Sequence, residues 1–254
     1  MAHRMGWVDT HCHLQLDGRP PADLLSRATD VDWVMVPGVD AASSAAARGL
    51  ATRFPRRVRW SAGLHPHDAA EWASQRDQIE AMVPQAAAVG ETGLDFYRNL
   101  APPAAQRQAF ADHIVLAQDH SKPLIVHCRD AFSDCHDMLE AAGLGERAVL
   151  HCWTGGPRWT KRFRDLGATF SFAGPVAFET AETVRLGAAE VPPESALVET
   201  DTPYLAPPPH RSEPNEPAWV GLVGAALAEV WAMPAAAVAE VTAARATRLF
   251  GDPR

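Results

Sequence analysis

Short apolar runs alternate with longer amphipathic segments almost to the end of the chain. Trp7–Thr10, Asp32–Val36, Val58–Ala62, Ala86–Gly90, Pro123–His127, Ala148–His151, Thr169–Phe172 and Ala196–Glu199 predict eight strands. Pro21–Thr29, Ala41–Arg53, Ala70–Met82, Pro103–His120, Ala131–Ala142, Pro157–Leu166 and Glu179–Ala189 predict the helices between them. Ala218–Trp231 and Ala235–Phe250 add two helices in the tail. Met233-Pro234 separates these two, because proline cannot continue one helix but fits the first turn of the next. Strands alternating with helices predict parallel pairing. At 254 residues this means an α/β fold, a single (β/α)8 TIM-like barrel with extra C-terminal helices. A doubly wound open sheet is the competing arrangement, but no Gly-x-Gly-x-x-Gly follows the first strand. No repeat, low-complexity tract or linker interrupts the pattern, and Pro207-Pro208-Pro209 reads as a loop after the last strand. Residues 1–254 are therefore expected to form one domain.

Composition changes this picture little. Hydrophobic residues at 47% and charged residues at 21% are ordinary for a globular domain. No apolar run is long enough to predict a transmembrane helix. The start of the chain lacks the basic-then-apolar pattern of a secretory signal, so a cytoplasmic location is expected. A net charge of −8 argues against a broad basic surface and tight non-specific binding to duplex nucleic acid. It leaves room for a polyanionic substrate, because bound divalent cations invert the local field. Cys12, Cys128, Cys135 and Cys152 form no Cys-x-x-Cys, so neither a disulfide scaffold nor a zinc finger is indicated.

The candidate chemistry sits where the strands end. His11 and His13 close the first strand, and residues two apart in an extended chain face the same way while Cys12 faces the other. Glu91 follows the fourth predicted strand, His127 ends the fifth, His151 ends the sixth, and Asp201 follows the eighth. All fall at C-terminal strand ends, the face where barrel enzymes place their chemistry. Four imidazoles and two carboxylates exceed the needs of one four- or five-coordinate ion. They suit two divalent ions about 4 Å apart bridged by a carboxylate and a hydroxide. Zn²⁺ or Mn²⁺ fits this mixed set, and Mg²⁺ is less natural against several histidines. Cys12, Cys128 and Cys152 are disfavoured as ligands by strand parity.

The ordered motifs resemble those of the TatD family of metal-dependent deoxyribonucleases, within the amidohydrolase superfamily. They are Asp9-Thr10-His11-Cys12-His13-Leu14, Gly63-Leu64-His65-Pro66-His67, Gly90-Glu91-Thr92-Gly93-Leu94-Asp95-Phe96, His127-Cys128-Arg129-Asp130-Ala131, His151-Cys152-Trp153-Thr154-Gly155, Glu199-Thr200-Asp201-Thr202-Pro203-Tyr204-Leu205 and Asn215-Glu216-Pro217. The resemblance implies that His11, His13, Glu91 and Asp201 hold one ion, and that Glu91, His127 and His151 hold the other. It also implies that Asp201 shuttles a proton, alongside Glu91 as a catalytic bridge. Two positions depart from the family pattern: Trp153 stands where Phe is usual, and Arg245 where Asn is usual. Trp153 would lie beside a ligand and could reshape the pocket, whereas Arg245 is expected to affect packing.

Several further residues are candidates for substrate contact. His65 and His67 end the third strand and read either as phosphate or base contacts or as rim histidines bonded to backbone. Arg129 shares the face of His127. Arg211 and Asn215 either touch substrate or cap the loop after the eighth strand. Tyr97 and Trp153 could stack on a base or pack in the interior. Asp95 and Arg98 are expected to pair with each other, and His113, His120 and His136 are expected at the surface of helices. The function expected from all this is a divalent-metal-dependent 3′→5′ exonuclease. Its partner would be a single-stranded DNA end, with RNA as a second substrate, and neither a membrane nor an obligate protein partner is expected. The alternative is a hydrolase of a small amide, lactone or ester, since barrels of this superfamily host that chemistry.

Overall fold

A computed structural model describes residues 6–253. Eight parallel strands follow one another in chain order: β1 (Trp7–Asp9), β2 (Val31–Val36), β3 (Val58–Ala62), β4 (Ala88–Asp95), β5 (Leu124–Arg129), β6 (Ala148–Leu150), β7 (Thr169–Phe172) and β8 (Ala196–Val198). The ends of the sheet meet. Thr10 N–H donates to Val198 O at 3.0 Å, Asp201 N–H to His11 O at 2.9 Å, and His13 N–H to Thr202 O at 2.8 Å. The result is a barrel whose first and last strands join at the rim that carries the candidate ligands.

Nine α-helices accompany the strands among the described residues: α1 (Pro21–Arg27), α2 (Ala41–Arg53), α3 (Trp72–Met82), α4 (Pro103–Asp119), α5 (Phe132–Ala142), α6 (Pro157–Asp165), α7 (Glu182–Ala188), α8 (Val220–Val230) and α9 (Ala235–Phe250). None is long and apolar enough to cross a membrane by itself. Local chemistry sets several boundaries. Asp40 caps α2, accepting from Ser43 N–H at 2.6 Å while Ser43 Oγ accepts from Asp40 N–H. Proline opens α1, α4 and α6, where its missing N–H costs nothing.

Strand alternation divides the apolar residues into two cores. Val8, Trp33, Met35, Ala88, Ile125, Val149 and Leu197 fill the barrel interior and meet Ala243, Ala246 and Phe250 of α9. Their neighbours in sequence, such as Val34, Val36, Leu124, Val126 and Val198, face the helical layer. The helix α9 therefore closes the barrel floor. Arg245 ties it there, donating to Glu146 at 2.8 Å and to Thr169 Oγ1 at 2.5 Å. Packing is thus what this departure from the family pattern affects.

The largest difference from the sequence reading lies in β4, which runs on through Glu91 to Asp95. Glycine, Glu, Thr and Asp read as a loop in the sequence, yet Gly93 pairs with His127 in the sheet. Gly93 has φ +134°, and a Cβ there would lie 2.1 Å from His127 O. Only glycine lets the two strands approach this closely. His113 and His136 are also not surface residues. His113 is fully buried, accepting from Leu64 N–H at 3.0 Å and donating to Ala109 O at 2.7 Å, and His136 packs against Phe163. His120 is exposed at the end of α4.

Candidate metal centre

Six residues from five strand ends meet at the mouth of the barrel, around one carboxylate. Glu91 is buried, and its two oxygens face different imidazoles. Oε2 lies 3.1 Å from His11 Nε2 and 3.7 Å from His13 Nε2. Oε1 lies 3.2 Å from His127 Nδ1 and 3.3 Å from His151 Nε2. Asp201 Oδ1 stands 3.5 Å from His13 Nε2 and 3.9 Å from His11 Nε2. The Nε2 atoms of His11 and His13 are 3.2 Å apart. Cys12 points away, with Sγ 3.6 Å from Met35 O.

This donor set fits divalent cations. His11, His151 and Asp201 form one group able to share an ion, His11, His13 and Glu91 another, and His65, Glu91 and His127 a third. Buried Nδ1 of His11 and of His13 have no hydrogen-bond partner. Neither ring is spent in a structural network; each turns its Nε2 to the centre.

Electrostatics around the carboxylate follow from crowding. Burial would push Glu91 up, but His151, His11 and His65 outweigh it and hold the group well below the usual carboxylate range. Burial pulls His151 down, yet Glu91 and Glu199 reverse this and raise it to about 10. Burial dominates at His65 and lowers it to about 4. Asp201 would also be raised by burial, but His13, His151 and His11 lower it.

Three further carboxylates orient the inner groups. Glu199 Oε1 accepts from His151 Nδ1 at 2.9 Å and from Cys152 N–H at 2.7 Å, and Ser171 Oγ donates to its other oxygen. Glu199 keeps a proton on Nδ1, so that a cation at the centre would take the place of the proton on Nε2. Asp95 Oδ2 lies 3.2 Å from His127 Nε2 and 2.9 Å from His67 Nε2, fixing the opposite tautomer of His127. Asp9 ties the two chain ends together, accepting from Thr200 N–H at 2.9 Å, Thr200 Oγ1 at 2.6 Å and His11 N–H at 3.3 Å. Burial raises Asp9 to about 8. The sequence reading assigns no role to Asp9 or Glu199, and gives Asp95 a different partner, Arg98. The signal was parity: Glu199 is two residues before Asp201, and Asp95 four after Glu91 within one strand.

The remaining candidates divide. His65, His67 and Arg129 line the cavity above the centre, a space of about 520 Å³. His65 Nε2 reaches Glu91 Oε1 at 3.4 Å. Trp153 is a correction. It is buried, donates from Nε1 to Thr160 Oγ1 at 2.8 Å, and packs on Phe132, Phe163 and Phe170. The strand ends at Leu150, so residue 153 turns into the helical layer and away from the cavity. Asn215 is another correction: fully buried, it donates from Nδ2 to Thr200 O and Tyr204 O, both at 2.7 Å, and clasps the loop that holds Asp201. Arg211 lies over the Phe178 ring at 3.6 Å and bonds Ala206 O, so it too secures that loop. Asp95 meets Arg98 only through the backbone N–H, at 2.7 Å, and not as the expected ion pair.

A (β/α)8 barrel with imidazoles and carboxylates gathered at its C-terminal rim defines a metal-dependent hydrolase. Residues 8–251 match the family described as TatD related DNase. The chain belongs to that family. It is 38% identical to the metal-dependent hydrolase TatD of Mycobacterium tuberculosis, over 96% of this chain and 97% of that one. It is 33% identical to the 3′-5′ ssDNA/RNA exonuclease TatD of Pectobacterium parmentieri, over 89% of this chain and 90% of that one. The crystal structure of YJJV, a TatD homologue from Escherichia coli, superposes with a TM-score of 0.91 at 26% identity, covering 98% and 99% of the two chains.

Proposed function

We propose that this protein is a 3′→5′ exonuclease on single-stranded DNA, and on RNA, working with two divalent cations drawn from Mg²⁺, Mn²⁺ and Zn²⁺. The observation that carries the reading is Glu91, whose two oxygens face separate sets of imidazoles on the floor of an open cavity. His11, His13, Glu91 and Asp201 would hold one cation, and Glu91, His127 and His151 the other. Bound there, the cations lower the pKa of water towards neutrality and neutralise charge on the non-bridging oxygens of a phosphodiester. The name of the P. parmentieri relative supports the same chemistry and polarity.

The chain's own groups supply the rest. Asp201 lines the cavity and is held in its ionised form, so it can take the proton of the attacking water. As the P–O3′ bond breaks, the same carboxyl returns the proton to the leaving oxygen. Arg129, His65 and His67 face the cavity and are placed to hold the phosphodiester while this happens.

Digestion of a 5′-labelled single-stranded oligonucleotide tests the reading. A ladder of shortening products should appear with Mg²⁺ or Mn²⁺, vanish with chelator, and vanish with Asp201→Asn. Intact oligonucleotide alongside hydrolysis of a small ester or amide would replace the exonuclease reading. Circular single strands cut as fast as linear ones would remove the requirement for an end.

A further inference from the structure

The described residues expose seven large apolar or aromatic side chains; four of them line this one cavity, and a fifth, Tyr97, stands against Arg129 of its lining. Large apolar groups left in water at one place mark a binding surface. They fall on two opposite sides. Tyr97 (62% exposed) and Leu100 (65%) follow β4, while Leu16 (48%), Tyr204 (54%) and Leu205 lie on the loops after β1 and β8. β4 and β1/β8 face each other across an eight-stranded barrel, and the Glu91 centre lies between them.

Each side has its own construction. The Arg129 guanidinium lies 4.2 Å from the Tyr97 ring centroid. A cation on one face stiffens the ring and leaves the other face free for a second planar group. Opposite, Tyr204 stands edge to face with His13 at 6.2 Å, which places a second aromatic ring directly beside the centre. Among the described residues neither Arg98 nor Arg129 forms an ion pair, although both line a cavity floored by Glu91, Asp95 and Asp201. Two unpaired guanidiniums beside exposed rings match a ligand that is both anionic and planar-faced. Single-stranded nucleic acid is such a ligand; a small amide or ester is not.

We propose that the rim is a pair of base-stacking jaws: Tyr97, backed by Arg129, takes the base on one side of the scissile phosphodiester, and Tyr204 with Leu16 takes the base on the other. The inference rests on the nuclease reading and adds to it a physical basis for strand selection. Bases within a duplex have both faces covered by their neighbours, so only unstacked nucleotides can enter the jaws. Stacking on an aromatic side chain tolerates any base, so the jaws select single strands without selecting sequence.

The test is a cycle of protein and substrate changes. Tyr97→Ala, Tyr204→Ala and the conservative Tyr97→Phe would each be assayed with Mn²⁺ on two oligonucleotides. One carries natural bases; the other carries tetrahydrofuran residues, which lack bases, at its last two positions. Tyr97→Ala should raise KM on the natural strand about tenfold, from the loss of one stacked base, with kcat much less affected. Tyr97→Phe should restore it. On the base-free end the wild type should already be weakened by a similar factor, and Tyr97→Ala should weaken it no further. Equal losses on both substrates, or a KM for Tyr97→Ala within twofold of wild type, would overturn the jaws while leaving the nuclease reading intact. No cleavage of either strand by the wild type would instead overturn the nuclease reading. Both tyrosines are exposed, so circular dichroism of the variants should match the wild type.

Discussion

His151 shows how a single side chain is held ready. Its ring is stacked on His11 at 3.8 Å between centroids, one nitrogen bonded to Glu199 and the other facing Glu91. Removing the charge from Glu199 leaves the ligand in place but frees its tautomer and orientation. Glu199→Gln should therefore lower Mn²⁺ affinity by about 10- to 100-fold, measured by titration calorimetry, with thermal stability of the cation-free protein little changed. Asp201→Asn should cost about 10²–10⁴ in kcat, the range of a lost proton-transfer group, and KM for the oligonucleotide should move less. His113 supplies a pH dependence. It is buried and uncharged, and burial lowers it from an ordinary 6.5 to about 4. Between those values the unfolded chain binds a proton that the folded protein refuses, so stability falls as pH drops from 6.5 towards 4. The full effect is about 3 kcal/mol. Urea unfolding of wild type and His113→Gln at pH 7 and pH 4.5 should show the wild type losing more of its stability on acidification.

At the scale of elements, the chain announced most of its own architecture. Val8, Ile125, Val149 and Leu197 sit in apolar runs whose period-two alternation sorts them cleanly inside. The same parity carried His127 and His151 to the rim. What the pattern hid was β4 beyond Gly90, because a strand that must pass close to its neighbour is written in glycines and polar residues. Trp153 and Asn215 misled for a related reason: proximity in sequence to a ligand says nothing about direction once the strand has ended. Burial of His113 was illegible because its partners, the backbone of Leu64 and Ala109, come from tertiary packing. The tail helix yields a prediction at this scale. Phe250 of α9 is buried in the barrel floor, and Phe250→Ala should cost about 3–5 kcal/mol in chemical denaturation. Cation affinity at the far rim should be unchanged.

For the whole molecule, the rim brings two carboxylates and four imidazoles together as a set that bound cations would hold in place. Anything that binds the folded state alone raises its apparent stability. A melting series should accordingly show Tm rising with Mn²⁺ concentration and falling on addition of chelator, and Glu91→Gln should flatten that dependence. A net charge of −8 gives the molecule little general attraction for a nucleic-acid strand, whereas Arg98 and Arg129 place positive charge at the mouth.

The closing of the barrel also sets an order in time. His11 and His13 are made long before Asp201, which completes their cluster 188 positions after His13. The bonds that join β1 to β8 cannot form until that late segment is out, and α9 has still to seal the floor. A chain under synthesis, or one cut short anywhere before Asp201, holds only a fragment of the centre. The centre, and any activity that depends on it, is thus completed only once the chain has been made past Asp201.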